Sequence, residues 1–134
     1  MNKKVFMLAL FMMVIAIPYA FAQKGKNEMV AYLFTYFNGN SPKQEQICYA
    51  LSDDGYNYTP LNGGEPVIKS DTIALTQCVR DPHILRCEDG KTFYMVVTDM
   101  RSELGWSSNR GMVLLKSTDL INWEHHTINF PTRY

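Results

Sequence analysis

The chain has 134 residues, with 13 Lys and Arg against 13 Asp and Glu, and its formal net charge is zero. It carries no basic stripe, which argues against a nucleic-acid-binding surface, and no run of like charges that would indicate a disordered tail. Once an N-terminal leader is subtracted, the length is enough for one small domain at most.

The first 22 residues have the layout of a secretory signal peptide. Two lysines precede an apolar run over residues 5–17, and an Ala-Phe-Ala triplet that ends at Ala22 supplies a cleavage site. The run is shorter than the ~20 residues that a membrane-spanning helix needs. The sequence therefore predicts export to the periplasm or the exterior, cleavage after Ala22, a mature domain over residues 23–134, and no membrane association after cleavage.

Strand and turn signals alternate along this mature part. Asn-Gly, Asp-Gly and Gly-Gly pairs, which accept positive φ angles, separate short runs that are rich in Val, Ile, Thr and aromatic residues. No window of useful length shows helical periodicity. The pattern is typical of an all-β protein built from antiparallel hairpins. The predicted strands cover residues 30–37, 46–51, 56–61, 83–86, 91–98, 111–117 and 123–128.

Part of this pattern occurs twice. Residues 49–61 align with residues 114–126, so that Ser52 matches Ser117 and Asp54 matches Asp119, and an aromatic strand precedes each copy. Each unit is one small antiparallel sheet that gains stability by stacking on a neighbour, and radial stacking of such sheets gives a β-propeller. The first unit is predicted to lack its innermost strand. Because a propeller needs at least ~4 blades, the chain is interpreted as the front piece of a longer protein.

Three cysteines follow the leader: Cys48, Cys78 and Cys87. Their spacing fits no zinc-binding pattern. Export permits disulfides, so a Cys78–Cys87 bridge is one interpretation. Buried free thiols are the other.

The ordered motifs resemble the first full blade of glycoside hydrolase family 43. The resemblance rests on residues 81–84 (DPHI), 89–91 (DGK) and 117–123 (STDLINW), and it extends over nearly all of residues 29–124. It implies an all-β fold, a partial β-propeller with about two blades of a five-bladed ring. It also implies a hydrolase that cleaves arabinosyl or xylosyl linkages of plant polysaccharide by inversion, with no cofactor and no metal.

Asp81 is the candidate general base. Proline is tolerated at the first residue of a strand, so the strand is predicted to begin at Pro82, with Asp81 at its mouth near the propeller axis. Inverting hydrolysis needs one carboxylate as the base and one carboxylic acid as the proton donor, and the resemblance implies that Asp81 is the base. In the related family 32, an Arg-Asp-Pro motif instead orients the substrate and tunes the acid, and this second role stays open for Asp81.

Three further residues are candidate substrate-binding residues. Arg80 would help to keep the neighbouring carboxylate ionised. His83 shares a face with Asp81 if the strand alternates regularly. Trp106 lies in a predicted loop, where an exposed aromatic ring can stack on a sugar. A purely structural role is the alternative for His83 and for Trp106.

The general acid that the resemblance implies matches no glutamate of this chain. The sequence therefore predicts the N-terminal part of an exported glycoside hydrolase, which would be inactive and poorly folded when isolated. The competing hypothesis is a non-catalytic carbohydrate-binding or surface-interaction β module, because its aromatic residues would serve that function equally well.

Overall fold

The computed structural model describes residues 30–132. The predicted signal peptide and the segment up to residue 29 lie outside the described residues. Within this range no helix has the length and apolarity that a membrane span requires.

Two antiparallel sheets form the fold, which confirms the all-β prediction. The first sheet has three strands in sequence order, β1 (Tyr32–Tyr36), β2 (Cys48–Ser52) and β3 (Thr59–Pro60). The second has four, also in sequence order, β4 (Val79–Arg86), β5 (Phe93–Asp99), β6 (Gly111–Ser117) and β7 (Glu124–Asn129). Short 3-10 turns lie in the loops at Asn62–Gly64, Ser70–Thr72, Ser102–Leu104, Trp106–Ser108 and Phe130–Thr132.

The strand registers relate the two sheets to each other. Ser52 pairs with Tyr32 across β1 and β2, and its counterpart Ser117 pairs with Phe93 across β5 and β6. Strands β1–β3 therefore correspond to β5–β7, and the second sheet has β4 as an additional strand. The described part of the first sheet thus lacks an equivalent of β4, in agreement with the sequence analysis, and both sheets are consistent with propeller blades.

One hydrophobic core joins the sheets. Alternate residues of β5 such as Met95 and Val97 are buried, and they belong to the same cluster as Tyr49 of β2. The sheets also share a direct contact, because Thr35 Oγ donates a hydrogen bond to the carbonyl of Pro82 at 3.2 Å. Period-two burial of this kind fixes the register of each strand, since a slip by one residue would expose its apolar side.

The two copies of the sequence repeat form the same turn, built by the triplets Ser52-Asp54-Asn57 and Ser117-Asp119-Asn122. In each turn the serine hydroxyl donates to the aspartate, at 2.8 and 3.0 Å. The aspartate also accepts the backbone N–H of the asparagine, at 2.8 and 2.7 Å. These aspartates therefore act on their own loop, in the manner of Asx-turns.

The same hydrogen bonds predict a loss of stability in acid. Bonds donated by Asn57 hold the pKa of Asp54 well below its usual value, and bonds donated by Asn122 do so for Asp119. Because the folded-state pKa is lowered, the ionised carboxylates favour folding above ~pH 4, the pKa of an unfolded aspartate, and this contribution is lost as the pH falls towards the folded-state value. We expect the urea midpoint to fall between neutral pH and about pH 2, and to fall less in Asp54→Asn or Asp119→Asn. Exposed Asp53→Asn is the control and should leave the pH dependence unchanged.

All three cysteines are free thiols. Cys48 and Cys78 are buried, whereas Cys87 is half-buried. Burial raises the pKa of Cys78 to about 11, helped by the nearby Glu45 carboxylate. Of the two interpretations of the cysteines, the structure therefore has the free thiols and no Cys78–Cys87 bridge.

Candidate functional site

Asp81 lies in a β-bulge inside β4. The strand begins at Val79, so the predicted start at Pro82 is wrong. The pairing of β4 with β5 shifts between Arg80 and His83, and Asp81 has a φ angle of 51°. A bulge leaves one residue out of the hydrogen-bonded ladder, which accommodates a proline that has no N–H to donate.

The carboxylate of Asp81 is free to meet a ligand. The residue is exposed, and within residues 30–132 its side chain has no ion pair and no hydrogen bond. Asp tolerates left-handed backbone angles better than most non-glycine residues, although the conformation still carries some strain. An unpaired carboxylate on strained backbone is typical of functional sites.

Arg80 forms its ion pair with Glu45 and not with its neighbour Asp81. Its Nη1 lies 2.9 Å from Oε1 of Glu45, it donates to Asn40 Oδ1 at 2.8 Å, and it also donates to the hydroxyl of Ser102. The guanidinium carbon lies 4.6 Å from the centre of the Phe37 ring, which is a cation–π distance. The guanidinium is thus fixed on several sides. None of these contacts is with Asp81, so none supports the expectation that Arg80 stabilises the ionised form of Asp81.

Glu45 is a buried carboxylate that the sequence analysis missed. Its side chain is 0% exposed, and it accepts the backbone N–H of Ser102 at 3.0 Å as well as the Ser102 hydroxyl. Burial alone raises the pKa of Glu45, but the hydrogen bonds from Ser102, Arg80 and Cys78 outweigh it, so the pKa lies below its usual value. Glu45 is therefore an ionised hub that joins the loop before β2 to the start of β4.

A cleft opens beside this hub. It is lined by Asn40, Arg80, Met100, Ser102, Gly105 and Trp106. Trp106 is 79% exposed and lies in the loop predicted for it, between β5 and β6. An exposed ring next to fixed polar groups has the composition of a carbohydrate subsite, because the ring offers an apolar face while the polar groups offer hydrogen bonds.

His83 lies elsewhere, on the outer face of the second sheet. It lines a shallow apolar depression together with Leu85, Tyr94, Val96, Leu114 and His126. The bulge interrupts the regular alternation on which its placement beside Asp81 depended. The structure therefore brings Arg80 and Trp106 to one cleft, whose lining residues include neither Asp81 nor His83.

Asp99 shows what a structural carboxylate looks like in this protein. It is buried at the end of β5, and it accepts the backbone N–H groups of Leu75 and Thr76 at 2.8 and 2.9 Å and the Thr76 hydroxyl at 2.6 Å. Its oxygens are thus occupied by the loop before β4. Among the residues that the structure describes, no cluster of His, Cys, Asp or Glu could hold a metal ion.

Comparison with known proteins identifies the family. A family model described as "Probable glycosyl hydrolase domain", related to glycoside hydrolase family 43, matches residues 27–130. The chain belongs to this family. The matched residues include both sheets, the bulge in β4 and the Trp106 loop.

A curated relative of this glycosyl hydrolase domain is the alpha-L-arabinofuranosidase of Bifidobacterium longum subsp. longum. It is 29% identical over 92 residues, which are 64% of this chain and 8% of the relative. The chain therefore spans a small part of that protein's length. No solved structure matches the chain significantly.

Proposed function

We propose that the chain is part of an exported glycoside hydrolase that cleaves arabinosyl or xylosyl linkages of plant polysaccharide with inversion. Membership in the glycosyl hydrolase family and the alpha-L-arabinofuranosidase relative support this substrate class. The signal-peptide pattern of the first 22 residues supports export to the periplasm or the exterior.

The exposed carboxylate of Asp81 is the observation that carries the proposal. As general base it would take a proton from water while the water attacks the anomeric carbon, and a separate acid would protonate the leaving oxygen. The carboxylate has no competing partner within the described range, unlike Asp99. The acid is proposed to come from a further blade of a propeller that the two sheets enter.

The full-length enzyme that includes this chain should be assayed on nitrophenyl α-L-arabinofuranoside and nitrophenyl β-D-xylopyranoside, because the proposed acid lies in a further blade. Proton NMR of the first product formed reports the anomer, and the proposal requires the anomer opposite to that of the substrate. A product of the same anomer would replace inversion by a covalent mechanism. No turnover on either substrate would contradict the proposed activity.

The exposed ring of Trp106 is expected to bind sugar by stacking. Replacing it with Ala should raise the Kd for an arabino-oligosaccharide roughly ten- to hundredfold, the effect typical of a tryptophan that anchors an interface. Calorimetry measures this directly. Leu104→Ala in the same loop, at a residue that is also exposed, is the control, and an equal loss in both variants would indicate a general disturbance of the loop.

A non-catalytic carbohydrate-binding module is the second candidate, and the exposure of Trp106 favours it as much as it favours the enzyme. The two functions differ in one measurement. Tight sugar binding without turnover, unaffected by replacement of Asp81, would assign the cleft to binding alone.

A further inference from the structure

Two of the three guanidinium nitrogens of Arg80 donate no hydrogen bond to the described residues. All the hydrogen bonds that it donates to other described side chains leave from Nη1. Its Nε and Nη2 make none and neither atom is completely buried, and Arg80 is one of the residues that line the cleft. An arginine presents such a pair of donors in a fixed, planar fork.

We propose that Glu45 is a positioning and specificity-determining residue. It holds the Arg80 donor fork towards the cleft and compensates its charge, so that the fork binds two neighbouring hydroxyl groups of a neutral sugar. This inference rests on the proposed function and names the ligand chemistry of its cleft. Glu45 would not touch the sugar itself, since its side chain has no exposed surface.

The charge balance around Arg80 favours a neutral ligand. The Arg80 charge is compensated at 2.9 Å by a carboxylate that water does not reach, so solvent screens this pair far less than an exposed one. A carboxylate ligand would lose its hydration and meet no net positive charge, whereas two hydroxyl oxygens could accept the two free N–H groups without that cost.

The hydrogen bonds of Glu45 support its positioning role. Glu45 is held in turn by Ser102, whose backbone N–H lies 3.0 and 3.2 Å from its two oxygens. Ser102 begins the short turn that precedes the Trp106 turn. One buried carboxylate therefore fixes the donor fork and the loop that carries the aromatic ring, which is the preorganisation that a binding site requires.

The test compares a neutral and an acidic trisaccharide. Calorimetry with arabinotriose and with trigalacturonic acid is carried out in an Asp81→Asn background, which prevents hydrolysis. With Glu45 present, arabinotriose should bind more tightly. Glu45→Gln removes the negative charge and places an amide N–H, itself a donor, against the donors of Arg80 and Ser102. It should therefore weaken arabinotriose binding on the order of tenfold, strengthen trigalacturonic acid binding, and reverse the preference.

Glu103→Gln is the matched control, since it removes a carboxylate that pairs with Arg101 instead of Arg80, and it should leave the preference unchanged. Glu45→Asp keeps the charge, so it should keep the preference even where affinity falls. A preference for trigalacturonic acid with Glu45 in place overturns the inference without any variant. The inference is also overturned if Glu45→Gln binds arabinotriose and the ratio of its Kd values for the two sugars is the same as with Glu45 present. That result leaves the proposed function intact. Failure of both sugars to bind overturns both.

Discussion

Asp81→Asn is expected to lower kcat by roughly 10²- to 10⁴-fold, the range that a positioned general base contributes. Asn accepts the left-handed φ angle of 51° as readily as Asp does, so the bulge should persist and the loss should reflect the missing base alone. KM should change little, because the amide keeps the size and polarity of the side chain. Initial rates on the arabinofuranoside, together with a thermal melt, check both parts.

Asp81→Gly extends this test. Glycine also accepts a positive φ angle, and the space left by the carboxylate admits a small anion such as azide, which should restore part of the rate. Glu88→Gln, at an exposed residue two positions beyond the C-terminal end of β4, is the control and should retain full activity. A rise in KM with no fall in kcat would instead support the substrate-orienting role that the resemblance to family 32 leaves open.

Arg80→Met is expected to lower the free energy of unfolding by about 3–5 kcal/mol, the usual effect of removing one partner of a buried ion pair. The reason is that Glu45, which is 0% exposed, would keep the hydrogen bonds of Ser102 but lose its counter-charge. Arg80 itself is only 15% exposed, so its charge contributes with little screening. Urea unfolding measures the change.

The exposed pair of Arg101 and Glu103 supplies the comparison. Their side chains are 31% and 52% exposed, so solvent screens the pair and Arg101→Met should cost far less stability than Arg80→Met. The double variant Arg80→Met, Glu45→Met should recover much of the loss, because replacing both charges removes the unpaired one. An Arg80→Met variant as stable as Arg101→Met would show that water reaches Glu45.

The sheets were predictable because turn signals separate short runs that are rich in Val, Ile, Thr and aromatic residues. In β5 the buried residues Met95 and Val97 alternate with less buried ones, although the sequence of this strand, FYMVVTD, is almost continuously apolar. The start of β4 was not predictable by the same logic, since the bulge at Asp81 and Pro82 breaks the alternation. A proline at that point indicates a strand start or a bulge equally well.

The site was only half predictable. Arg80 and Asp81 stand in the Arg-Asp-Pro motif, and Trp106 lies in a predicted loop. Glu45 instead lies in a polar loop segment, PKQEQ, that is typical of a solvated surface. Its burial arises from Arg80 and Ser102, which are distant in sequence, and no local pattern encodes such a contact. The one available signal was the apolar run that follows at residues 47–51, which places Glu45 beside the core.

The Glu45 hub also makes the folding of the first sheet depend on the second. Its partners Arg80 and Ser102 follow it by 35 and 57 residues along the chain. Until both have left the ribosome, the Glu45 carboxylate has neither its counter-charge nor its donors, and burying it alone would be costly. The first sheet therefore cannot settle as an independent unit while the chain emerges. Both sheets should fold together in one cooperative step, once Arg80 and Ser102 can pair with the Glu45 carboxylate.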